Sequence, residues 1–251
     1  GDNERAPYGT RPDDEVLAFS TEALDALADR DVKAIVVACN TSTAVALGHF
    51  RRRYDLPILG VIRPGAVTAA LTTRNRRVGV IATPATVRSR AYFAAIKDEN
   101  PAVEVYEHAT PAFVPLVEAG LLAGPDVEAA VADGLAPLLG ERDSAGDFVF
   151  PLPVSARIDT LLLGCTHYPL LRPVISAVAG DHVAIVDSAT ATASALSELL
   201  AISGLEAPAG QLATHVQLTT GDVDGFRSVA RRLFGEDFLD VDGIALTAVP
   251  T

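Results

Sequence analysis

A chain of 251 residues that is 49% hydrophobic and 21% charged can bury one large core or two small ones. A formal charge of −12 argues against a phosphate-backbone partner, so nucleic acid is not expected. No apolar run approaches the roughly 20 residues of a membrane helix, and the polar opening Gly-Asp-Asn-Glu-Arg has no signal-peptide core.

In chain order, the first element is a helix from Pro12 to Arg30, with proline in its first turn, acids at 13–15, and Leu17, Leu24 and Leu27 on one face. Strand-like runs follow at 33–39, 57–62, 77–83, 103–108, 159–165, 182–187 and 214–219. Helical stretches lie between most of them, at 42–53, 64–73, 85–98, 126–139, 168–179, 189–203 and 223–234. Ala34–Ala38 and Thr160–Leu163 are continuously apolar instead of alternating, the pattern of parallel strands covered on both faces. The reading is α/β, with two pseudo-symmetric doubly wound sheets of mostly parallel strands. Residues 141–156 carry two prolines without periodicity and read as a surface loop; 204–210 reads as a second loop.

The two cysteines are the most informative residues. Cys39 ends the run Val-Lys-Ala-Ile-Val-Val-Ala-Cys, and Cys165 ends Ile-Asp-Thr-Leu-Leu-Leu-Gly-Cys. They stand 126 residues apart, about half the chain, which suggests two related halves each presenting one thiol. Ligands of doubly wound sheets sit beyond the carboxyl ends of the strands, where both thiols fall, so the active site is expected between the two halves. A thiol on each side of a carbon can remove a proton from one face and return one to the other.

Cys39-Asn40-Thr41 ends a strand where a helix is about to start. The backbone N–H groups of residues 40–43 are expected to point into the site, favouring a thiolate and a bound carboxylate. Taken singly, the segment reads as readily as a buried structural cysteine beside a helix cap. In Cys165-Thr166-His167 the histidine can act as proton partner of the thiol, or can pack at a helix start. Two Cys and His167 without Cys-x-x-Cys spacing make a poor zinc set, so no metal is expected. Two cysteines in a chain this long make no disulfide framework, and reduced thiols in the cytoplasm are the default.

Five segments together resemble glutamate racemase, in the aspartate/glutamate racemase family: Ala6-Pro7-Tyr8-Gly9-Thr10-Arg11, Val37–Thr41, Gly79–Val87, Phe113–Gly120 and Leu163–Leu171. They run in family order and span most of the chain. The resemblance implies cofactor-independent interconversion of L- and D-glutamate for bacterial peptidoglycan synthesis, with Cys39 and Cys165 as the two acid/bases. It implies Glu118 and His167 as secondary acid/base groups. It also implies a substrate site lined by Tyr8, Gly9, Asn40, Thr41, Thr166 and His167, with Thr83 and Thr86 as further contacts unless Thr86 caps the following helix. A homodimer acting on a small-molecule substrate is the expected assembly. No pyridoxal site is expected, because Lys33 and Lys97 are the only lysines and neither reads as near a thiol.

Residues 1–90 with 196–251 are expected to form one α/β domain and 91–195 the other. The family opens with a strand ending in Asp-Ser, a glycine-rich turn, a helix and a second strand, whereas this chain opens at what resembles the loop after them. There is also no methionine. An upstream segment carrying that Asp and Ser is therefore expected, and low activity and stability for the 251 residues alone. The other readings are an aspartate racemase, which would usually carry an acid in place of His167, and a non-catalytic role of the kind ascribed to family members that bind DNA gyrase.

Overall fold

The computed structural model describes residues 1–142, 148–149, 157–235 and 240–246. Helix α1 (Asp13–Ala28) leads to strand β1 (Ile35–Val37), helix α2 (Asn40–Arg53) and strand β2 (Ile58–Gly60). Strand β1 pairs with β2 in parallel, with Ile35 opposite Ile58, so β1-α2-β2 is one crossover unit. The aliphatic positions of α1, α2, β1 and β2 then close on each other: Leu24, Val37, Ala46, Phe50 and Ile58 form one buried cluster. Leu27, expected on the buried face of α1, is instead 37% exposed and borders an open cavity.

The chain continues through α3 (Ile62–Thr72), β3 (Arg77–Ala82), α4 (Pro84–Ser89), α5 (Ala91–Glu99), β4 (Glu104–Ala109), α6 (Phe113–Glu118) and α7 (Pro125–Leu139). After two short strands, β5 (Glu141–Arg142) and β6 (Phe148–Val149), come β7 (Thr160–Gly164), α8 (Arg172–Ala179) and β8 (Ala184–Asp187). Strands β3, β4, β7 and β8 form a parallel sheet in the order β4-β3-β7-β8. Of the two runs that are apolar without alternation, Thr160–Leu163 falls in the central strand β7, every residue of which is buried. Ala34–Ala38 instead holds β1, whose middle residue is only half-buried. One face packs Val131, Leu135, Leu161, Leu163 and Ile175 into a core. The other packs Ala66, Val78, Val80, Tyr92 and Leu162.

Helix α9 (Ala189–Ile202), strand β9 (Gln217–Thr219), helix α10 (Val223–Phe234) and strand β10 (Val241–Gly243) complete the described chain. Strands β9 and β10 pair in parallel. Among the described residues β5–β6 is the one antiparallel ladder. The N-terminal segment lies along β9: Thr220 N–H donates to the Gly1 carbonyl at 3.0 Å, and Glu4 N–H to Thr220 Oγ1 at 3.0 Å.

The architecture is the α/β arrangement of parallel strands expected from the sequence, with several corrections. The stretch 85–98 is not one helix: Arg90 adopts a left-handed conformation (φ 57°) that ends α4 and begins α5. Its guanidinium lies 2.5 Å from Glu107 and stacks 4.1 Å from the Phe93 ring centroid, contacts that hold the break. The stretch 168–179 starts with a 3-10 turn, Tyr168–Leu171, before α8. Within the expected loop 141–156, residues 141–142 and 148–149 pair as β5 and β6; the rest of that loop lies outside the described residues. Strand β3 falls in the expected first domain, yet its partners β4 and β7 fall in the expected second one.

Candidate active site

A cavity of about 630 Å³ opens at the carboxyl ends of β1, β3 and β7, bordered by both cysteines. Strand β1 ends at Val37, and Cys39 becomes the N-cap of α2. Its Sγ accepts from Ser42 N–H at 3.5 Å, and its carbonyl accepts from Thr43 N–H at 2.9 Å. Two of the four N–H groups expected to face the site are therefore spent on Cys39 itself. Cys39 is partly exposed.

Cys165 follows the last residue of β7 and is 6% exposed. Its approach is tight, since a Cβ on Gly164 would fall 2.9 Å from the Ile81 carbonyl oxygen and 2.9 Å from the Tyr92 ring. Burial pushes the Cys165 thiol up to about 12; the backbone N–H of His167 pulls the other way, and charge on Cys39 adds to the rise. His167 Nδ1 stands 3.7 Å from Cys165 Sγ, and His167 Nε2 stands 2.5 Å from Glu118 Oε1. Glu118 closes α6 and is exposed, so these three groups run from a buried thiol to the surface.

Hydroxyls and one carboxamide make up much of the polar lining. Thr83, the N-cap of α4, bonds Thr41 Oγ1 at 2.9 Å and Thr86 Oγ1 at 3.1 Å. Thr86 is fully buried behind Thr41 and Thr83 and does not border the cavity. Nor does it cap α4, for Thr83 does so by accepting from Thr86 N–H. Gly9 lies against Thr83, where an added Cβ would fall 2.5 Å from Thr83 Cβ, and its carbonyl accepts from Ala85 N–H at 3.0 Å. Tyr8 donates to Asp2, whose carboxylate also takes Arg5 at 2.7 Å. Burial and then Asp2 raise the Tyr8 phenol well above its ordinary range, so it stays a neutral donor.

The cavity thus gathers Tyr8, Gly9, Cys39, Asn40, Thr41, Thr83, Glu118, Cys165, Thr166 and His167 from segments far apart in the chain. The sequence reading missed Ser42, which supports Cys39, and Asp2 and Tyr92, which support Tyr8 and Asn40. Ser42 had a readable signal, being three residues past a strand end at a helix start. Tyr92 had none, because its partner Asn40 is 52 residues away. Among the described residues no group of three or more His, Cys, Asp or Glu is arranged to hold a metal ion.

Comparison with known proteins is consistent across sequence and structure. A family model described as Asp/Glu/Hydantoin racemase matches residues 2–138. The glutamate racemase of Shouchella clausii is 44% identical over 230 residues, covering 92% of this chain and 78% of that protein. The glutamate racemase of Listeria monocytogenes is 40% identical over 246 residues, 98% of this chain and 87% of that one. A solved glutamate racemase isoform from Bacillus anthracis superposes with a TM-score of 0.88 at 37% identity, covering 99% of this chain and 87% of its own. The glutamate racemase of Francisella tularensis, solved in complex with D-glutamate, gives 0.82 at 28% identity over 98% and 86%.

Proposed function

The chain belongs to the Asp/Glu/Hydantoin racemase family, its relatives there being glutamate racemases, and from that premise we propose that it interconverts L- and D-glutamate by a two-thiol mechanism without a cofactor. The observation that carries the mechanism is that Cys39 and Cys165, each just beyond a parallel strand, border one cavity.

One cysteine, as thiolate, takes the α-proton from one face of glutamate. The other, as thiol, gives its proton to the opposite face, and the two end with exchanged protonation. The intermediate carries an extra negative charge shared between the α-carbon and its carboxylate. Thr41, Thr166 and the Asn40 carboxamide border the same cavity, and in this reading they donate to it. A buried thiol raised to about 12 is protonated at rest, which fits Cys165 as a proton donor. When Cys165 must instead act as base, its proton can leave through His167 to Glu118. Closure of one sheet unit on the other over the substrate would exclude water.

The product is read as D-glutamate for bacterial peptidoglycan, and the assembly as a homodimer. Two unpaired thiols suit the reducing cytoplasm, and among the described residues no helix is long and apolar enough to cross a membrane. Circular dichroism of pure L- and D-glutamate and of L- and D-aspartate with the protein tests the reading. Loss of optical rotation for both glutamate enantiomers, with aspartate far slower, is expected; turnover of aspartate alone contradicts it.

A further inference from the structure

Asn40 borders the cavity beside Cys39, and the two ends of its carboxamide have opposite chemistry. Nδ2 donates to an anion, whereas Oδ1 repels one. Which end faces the cavity is decided from behind the site. The Tyr92 hydroxyl, on α5 and fully buried, lies 2.6 Å from Asn40 Oδ1. A phenol has one proton to give. Tyr92 donates that proton to Asn40 Oδ1, which leaves Nδ2 as the end free to face the cavity.

The same side chain also touches the other thiol segment. A Cβ on Gly164 would fall 2.9 Å from Tyr92 Cε2, so the ring lies flush against the backbone one residue before Cys165. Burial, and then charge on Cys165, hold the phenol protonated far above neutral pH, which keeps the donor in place throughout turnover. Tyr92 itself does not border the cavity.

We propose that Tyr92 is a positioning residue that locks Asn40 as a hydrogen-bond donor to the glutamate carboxylate while seating Asn40 against the Cys165 strand end. The inference rests on glutamate being the substrate. Without the Tyr92 hydroxyl the carboxamide can turn its oxygen toward the anion, so Tyr92 acts wholly through Asn40.

A double-mutant cycle separates this from a merely structural role. The dissociation constant for D-glutamate is measured by titration calorimetry, corrected for folded fraction, in wild type, Tyr92→Phe, Asn40→Ala and the double variant. Tyr92→Phe removes one oxygen and leaves the ring on Gly164; it should weaken binding about ten-fold, the scale of one hydrogen bond to a charged group. The double variant should bind no worse than Asn40→Ala alone. Effects that multiply independently would overturn the proposal. Should Tyr92→Phe not fold, Tyr92→His takes its place in the cycle, because the smaller ring also withdraws the phenol hydroxyl from Asn40 Oδ1. A weakening that vanishes on the Asn40→Ala background supports the proposal, and one that persists there, or no weakening, overturns it. Wild-type protein that binds no D-glutamate overturns the substrate reading as well, whereas wild-type binding with independent effects overturns this inference alone.

Discussion

His167 Nδ1 lies 3.7 Å from Cys165 Sγ, while Cys165 itself is 6% exposed. With so little of that thiol exposed, the imidazole gives its proton a second route outward besides the cavity. The arrangement leaves the two thiols unlike each other: Cys39 is partly exposed, and Cys165 is nearly buried in the cavity wall and held protonated by that burial.

That difference predicts selective alkylation. With a folded-state value of about 12, the Cys165 thiolate fraction falls ten-fold for each pH unit below it, to about one part in 10⁴ at pH 8. Iodoacetamide at pH 8 should therefore label Cys39 well before Cys165, and the rate at Cys165 should climb with pH without levelling off through pH 10. Peptide mapping by mass spectrometry reads both rates. Equal labelling would mean that Cys165 is neither shielded by burial nor held protonated.

Gly9→Ala probes the wall formed by Gly9 and Thr83. The added carbon meets Thr83 Cβ and Cγ2 at 2.5 Å, so either Thr83 leaves Thr41 or the Tyr8-Gly9 segment moves into the cavity. A loss of about ten- to a hundred-fold in kcat/KM for glutamate is expected, with the melting temperature little changed. Unaltered kinetics would show that this wall does not shape the substrate site.

Much of this was legible before the fold was known, and the reasons are local. Strand β7 announces itself because a strand buried on both faces must be apolar throughout, and that is also why Cys165 could be placed at a strand end. Cys39 and Thr41 were readable as a helix entrance. By contrast, α6 and β10 have six and three residues, too few for a period to show. The break at Arg90 depends on Glu107, from a strand 17 residues later, and Tyr92 depends on Asn40. Tertiary partners made those decisions. The placement of Thr86 behind Thr83 likewise needed the packing of α2 on α4.

Asp159 joins the start of β7 to the turn after α3, and its environment gives a pH-dependent term. Burial opposes its charge, but hydrogen bonds from Thr73 Oγ1, the Asn75 and Arg74 N–H groups and Thr160 Oγ1 outweigh that and depress its pKa. A depressed carboxylate stabilises the fold above its unfolded value of about 3.9 and loses that contribution as pH falls through the lower folded value. Asp159→Asn should thus destabilise by about 1 kcal/mol at pH 7, allowing for solvent screening, with the gap from wild type closing below about pH 3. Urea melts at pH 7 and pH 3 measure this. A gap that is the same at both would place the effect in sterics instead of charge.

The two-thiol mechanism is tested most directly by hydrogen exchange at the α-carbon in single-cysteine variants. Each face of that carbon is served by one sulfur, so Cys39→Ala and Cys165→Ala should each abolish racemisation per folded molecule. In deuterated water the surviving thiolate can still remove a proton from the enantiomer whose hydrogen faces it. Proton NMR of pure L- and D-glutamate should then show slow exchange of at most one enantiomer by each variant, and of opposite enantiomers by the two. Racemisation retained by either folded variant, or exchange of the same enantiomer by both, would contradict it.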